Sequence, residues 1–63
     1  MKGNVKFFNE IKEFGFIIGE DGKEYFVHKS GLEDGVNVDK GDKVSFEVEK
    51  GDRGLKAVKV KKG

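Results

Sequence analysis

The chain contains no cysteine, no tryptophan and one histidine, and its 13 basic and 12 acidic side chains leave a formal charge of +1. Without cysteine there is neither a disulfide framework nor a thiolate metal site, a usage that fits a reducing cytoplasm. A lone histidine offers no pair for a catalytic metal. No Ser/His/Asp set and no phosphate-cradling glycine loop is visible. No apolar run approaches the roughly 20 residues of a bilayer-crossing helix. The first residues lack the apolar stretch and small-residue cleavage site of a secretion signal. Sixty-three residues make one small domain over 1–63, and so short a chain rarely encloses a substrate cavity. The expectation is a cytoplasmic, monomeric binding module: no enzyme, cofactor, metal, membrane or small-molecule substrate.

What the chain does have is charge, at 40% of residues, and six phenylalanines with one tyrosine. Hydrophobic residues are only 35% of the chain, so stability is marginal and an aromatic left in water gives up scarce burial. The apolar pattern has period two. Val44, Phe46 and Val48 alternate with Ser45, Glu47 and Glu49, and Val58 and Val60 with Lys59 and Lys61, as half-buried strands do. Tyr25 and Val27 share one face of another strand, Phe26 and His28 the other; Phe14 and Phe16 oppose Gly15 and Ile17. Val5 to Phe8 is a further strand whose consecutive aromatics leave its facing open. Asp21-Gly22 is suited to a tight hairpin turn, and Gly51-Asp52-Arg53-Gly54 separates the last two strands. Ser30 is a candidate N-cap for one helical turn at 30–33.

These signals predict strands at 3–14, 14–19, 24–29, 43–50 and 54–61. A five-stranded antiparallel OB-fold barrel, all-β, accommodates them and leaves no sheet edge exposed. An SH3-like barrel and an open meander also fit the pattern. Residues 1–19 carry three positive and two negative charges, residues 20–42 three and seven, and residues 43–63 seven and three. The near-neutral total therefore conceals a basic end able to guide a polyanion.

The placement of the rings carries the functional reading. Phe14 and Phe16 fall about 7 Å apart on one strand face, close to the spacing of bases in an extended single strand. Phe26 and His28 repeat the arrangement. If strands two and three pair through the Asp21-Gly22 turn, four flat rings gather on one face. Ile17, Tyr25 and Val27 then form the core. The opposite facing would bury His28 alone beside Phe26, which favours the rings outside. Rings flanked by Lys6, Lys12 and Arg53 suit sequence-tolerant binding of unpaired nucleotides, at roughly 1–3 kcal/mol per stacked base.

The segments Gly3-Asn4-Val5-Lys6-Phe7-Phe8-Asn9 and Lys12-Glu13-Phe14-Gly15-Phe16-Ile17 resemble the opening of bacterial-type cold-shock domains, G-x-V-K-W-F-N and then K-G-F-G-F-I. Tyr25-Phe26-Val27-His28 is similar to that family's V-F-V-H motif, Gly41 to Val48 to its G-x-x-V-S-F strand, and Gly51 to Gly54 with Ala57 to its last hairpin. The resemblance spans the whole chain. It implies an OB barrel that binds single-stranded RNA and DNA and limits RNA secondary structure, acting in transcription and translation under cold or other stress. On the matching positions, Phe14, Phe16, Phe26 and His28 stack bases, and Phe7 stands where the family has a surface Trp. Lys6, Lys12 and Arg53 match basic contacts, and Phe8 and Asn9 lie at the platform's edge. Against the family pattern, Glu13 replaces a Gly, Lys29 replaces an aromatic, and the Gly35–Asp39 loop has no ring. Those departures imply fewer stacking contacts, more reliance on charge and weaker affinity. A duplex-DNA architectural protein and an OB domain docking on the translation machinery are the competing readings.

Overall fold

The computed structural model describes residues 1–51 and 54–63. Strands β1 (Lys2–Asn9), β2 (Phe14–Gly19), β3 (Glu24–His28), β4 (Lys43–Gly51) and β5 (Gly54–Lys62) close into a barrel in the order β1-β2-β3-β5-β4. The antiparallel expectation holds at every seam but one: β3 runs parallel to β5, pairing Phe26 with Lys56 and Val27 with Ala57. The cause is parity. Directions cannot alternate all the way round a closed ring with an odd number of strands, so one seam must be parallel.

The core is built from Val5, Ile17, Tyr25, Val27, Val38, Val44, Phe46, Ala57 and Val60. Its two aromatics, Tyr25 and Phe46, pack at 5.4 Å between ring centroids. Fully burying each of Ile17, Val27, Val44 and Val60 contributes about 1.5–3 kcal/mol. Ile17, Tyr25, Val27, Val44 and Phe46 lie where alternation places them. Val48 shares that facing but is 37% exposed, because β4 pairs with β1 only through Lys43–Ser45 and has β5 alone beside it from Glu47 onward.

Two bulges reset the alternation. In β1 the register steps from Val5↔Ile17 to Phe7↔Phe16, so Lys6 is the extra residue. Lys6 and Phe7 therefore both face solvent, while Val5 is buried and Phe8 packs against the core. In β5 the register steps from Ser45↔Lys61 to Glu47↔Val58, and Lys59 takes a left-handed φ of 52°. Ala57 and Val60 consequently both point inward, and Val58 does not share the facing of Val60 as strict alternation predicts.

The first strand ends at Asn9, not at residue 14. The Asn9 side-chain oxygen accepts the N–H groups of Ile11 (2.9 Å) and Lys12 (3.0 Å), an Asx turn that satisfies the backbone locally and stops the ladder. Glu13 follows with φ 62°, a conformation that favours glycine. Its carbonyl accepts the Lys29 N–H at 2.8 Å, tying the turn to the end of β3. In the next hairpin Gly22 takes φ 82°, and the Tyr25 hydroxyl donates to Asp21 Oδ2. That bond holds the Asp21 carboxyl below its usual range, helped by the Lys23 N–H, and pushes the Tyr25 phenol up. The short helical turn spans Lys29–Gly31 and is capped by His28, not Ser30: the imidazole Nδ1 accepts the Ser30 N–H at 3.1 Å. Beyond it, Leu32 bridges to Val60, and Leu32 and Val36 pack against the core beside buried Val38. No helix among the described residues is long and apolar enough to cross a membrane.

Candidate nucleic-acid interface

The three strands β1, β2 and β3 place the predicted rings in two rows. Phe7, Phe16 and Phe26 lie in register across the sheet, and Phe14 and His28 form the row nearer the β1–β2 turn. Ring centroids are 5.5 Å apart for Phe7–Phe16, 5.8 Å for Phe16–Phe26 and 5.9 Å for Phe14–Phe26. The first two pairs are edge-to-face, the arrangement the ring quadrupole favours. None of these rings belongs to the core. Phe14, Phe16 and Phe26 are half-buried, and Phe7 and His28 are exposed.

Two features of the backbone make this face possible. Lys6, by bulging, turns Phe7 onto the same side as Phe16. Gly15, opposite Phe8, lets β1 and β2 approach: a Cβ there would lie 2.1 Å from the Phe7 carbonyl oxygen. Because His28 Nδ1 accepts a backbone N–H, the neutral imidazole carries its proton on Nε2, ready to donate.

The cations are placed less uniformly. Lys6 is paired with Glu24 at 2.6 Å, both side chains about half exposed, an exposed pair worth at most ~1 kcal/mol and open to displacement by a phosphate. Lys12, on the β1–β2 turn, has no ion-pair partner among the described residues. Arg53 lies outside the described residues. Phe8 lines a groove of 710 Å³ with Phe7, Ile11, Lys12 and Phe14, and a second one of 460 Å³ with Leu32 and Val36. Asn9 lines the first groove, but its side-chain oxygen is engaged in the turn.

Sequence reading overlooked Lys56. Its register with Phe26 sets it on the outer face beside the rings, with Glu49 3.8 Å away. The available signal was the small inward Ala57, which obliges Lys56 to point out; the parallel seam that brings it to Phe26 has no mark in the turns. Among the described residues no cluster of three His, Cys, Asp or Glu side chains is placed to hold a metal.

The chain is similar to known proteins along its whole length. The family model of the 'Cold-shock' DNA-binding domain matches residues 1–63. Cold shock protein 2 of Lactiplantibacillus plantarum is 52% identical over 60 residues, covering 92% of this chain and 91% of its own. Cold shock protein CspC of Bacillus subtilis is 51% identical over 63 residues, covering 97% and 96%. The major cold shock protein of Streptococcus pyogenes is 43% identical over 63 residues, covering 97% and 94%. With its full length inside the family model and half its residues shared with two such relatives, the chain belongs to the cold-shock family of nucleic-acid-binding domains.

Proposed function

We propose that the chain binds single-stranded RNA and DNA by stacking unpaired bases on Phe7, Phe14, Phe16, Phe26 and His28, and so acts as a nucleic-acid chaperone. One observation carries the reading: a contiguous array of outward rings, 5.5–5.9 Å between neighbouring centroids, over a core that uses none of them. A base must leave its helix to stack on such a face. Binding therefore draws the duplex–coil equilibrium toward single strands by mass action. A protein of this kind limits RNA secondary structure, which suits regulation of transcription or translation under stress. It works in the cytoplasm as a monomer, without catalysis.

The cations act second. Lys6 and Lys12 flank the rings, with Lys56 beside Phe26; Arg53, which matches a basic contact of the family pattern, joins them in this proposal from the sequence alone. Neutralising about three or four phosphates gives a slope of log K against log salt near −2 to −3. Phe8 and Asn9 support the edge, one by filling the space beneath the rings and the other by fixing the turn that presents Lys12.

The test is a titration with oligo-U, oligo-dT and a blunt duplex at two salt concentrations. Tight binding to both single strands, weak binding to the duplex and the shallow slope are the expected result. Preference for the duplex would refute the proposal in favour of an architectural DNA-binding role. No binding to any oligonucleotide, with a partner captured through the ring face after nuclease treatment, would refute it in favour of protein docking.

A further inference from the structure

Ile11 is 94% exposed, far more than Phe7 at 37% or Leu55 at 46%. A single exposed aliphatic side chain is ordinary; its position here is not. It stands at the β1–β2 turn, beyond the Phe14–His28 row, and lines one groove with Phe7, Phe8, Lys12 and Phe14. The turn that holds it is fixed. Asn9 accepts the N–H groups of Ile11 and Lys12, and the Glu13 carbonyl is bonded to the Lys29 N–H. A branched side chain has no flat face and cannot serve as another stacking layer, but it can cover the apolar face of a terminal base pair.

We propose that Ile11 is a wedge for the junction between paired and unpaired nucleic acid: the strand lies unpaired on the rings, and Ile11 packs against the first base pair still closed. The proposal rests on the single-strand reading above. Aliphatic side chains inserted at a base step shift the cost of unstacking onto a protein contact. Lys12, adjacent on the same turn, is placed to meet the phosphate of the strand being peeled away. The wedge is a positioning device for strand opening; affinity for a strand that is already open resides in the rings.

The experiment compares the wild type with Ile11→Ser and Ile11→Leu on two probes: an unstructured oligo-U, and an RNA hairpin with a single-stranded tail whose opening is followed by fluorophore–quencher separation. Thermal unfolding should be unchanged, since the side chain contributes almost no burial. Ile11→Ser should bind oligo-U within about twofold of wild type yet open the hairpin at least about fivefold less effectively, with Ile11→Leu restoring opening. Parallel losses on both probes would make Ile11 an ordinary base contact and overturn the wedge. Equal hairpin opening by all three proteins would overturn it as well. Failure of the wild type on oligo-U would instead refute the underlying single-strand reading.

Discussion

Phe16 is the ring on which the functional reading can be tried most sharply, because it touches Phe7 at 5.5 Å and Phe26 at 5.8 Å. Phe16→Ala removes one stacking surface, an expected loss of ~1–3 kcal/mol, or roughly 5- to 150-fold in Kd for oligo-U. It also removes two edge-to-face contacts, each worth about 0.5–1.5 kcal/mol. The half-buried ring sits outside the core, so stability should fall by ~1–3 kcal/mol and the protein should stay folded at low temperature. Phe46→Ala is the control: Phe46 is buried at 3% exposure, and its truncation should cost ~3–5 kcal/mol, close to all that so small a core supplies. Anisotropy titration at a temperature where Phe16→Ala is fully folded by circular dichroism separates the two effects. If Phe16→Ala melts as Phe46→Ala does while its folded fraction binds normally, the ring is a packing residue and the stacking face is wrong.

Glu13 holds φ 62°, so Glu13→Gly should raise stability by about 1 kcal/mol by relieving a left-handed residue, and should tighten oligo-U binding by removing a negative charge beside Lys12; an unchanged urea midpoint would show the turn unstrained. Gly15→Ala places a methyl 2.1 Å from the Phe7 carbonyl oxygen and 2.7 Å from Phe8 Cα, and should lower stability by at least ~2 kcal/mol; a melting temperature within a degree or two of wild type would contradict the close approach. Stability should also depend on pH at both extremes. Asp21 is lowered by the Tyr25 hydroxyl and the Lys23 N–H, and Asp42 by the Asp39 N–H and Lys62, so their contribution is present above about pH 4 and lost as pH falls through the lowered values. Tyr25 is raised by Asp21, so its contribution is present below about pH 10 and lost as pH climbs through the raised value. Urea midpoints across pH should show both limbs, the alkaline one disappearing in Tyr25→Phe; an alkaline limb retained in that variant would refute the assignment.

Much of the core was legible because alternation is a direct consequence of the pleat. Ile17, Tyr25, Val27, Val44 and Phe46 follow from it, and with them the outward set Phe14, Phe16, Phe26 and His28. What alternation could not supply was the place where it breaks. Both bulges fall on lysines, Lys6 and Lys59, with no glycine to mark them, and each shifts every later residue of its strand to the other face. The facing of Phe7 and Phe8 was therefore open on periodicity alone and came only from the family resemblance. The inward Ala57 and the outer-face position of Lys56 went unread. Asn9 ended its strand through a side-chain bond that composition does not announce. Val38 is buried at 2% exposure from within a stretch rich in Gly and Asp, where nothing in the pattern separates a core residue from a solvated one.

The rings raise an energetic question that the structure resolves. A chain this short should not be able to leave four phenylalanines outside its core, yet the cost is smaller than full exposure implies. Phe14, Phe16 and Phe26 shield one another and are half-buried, so each forfeits only part of its transfer free energy. The interior is filled instead by Tyr25, Phe46 and aliphatics that include Val38, with Leu32 and Val36 packed against it from the long β3–β4 connection. The same mutual shielding holds the rings in fixed places before any ligand arrives, which reduces the ordering cost of binding. Charge comes second here: Lys6 and Lys56, beside the rings, are each paired with an acid, so a phosphate that meets either must displace a carboxylate, whereas Lys12 has no ion-pair partner among the described residues. On the proposed reading, recognition of an unpaired strand by this surface is stacking first, and the expected salt dependence is shallower than that of a binder that works by charge alone.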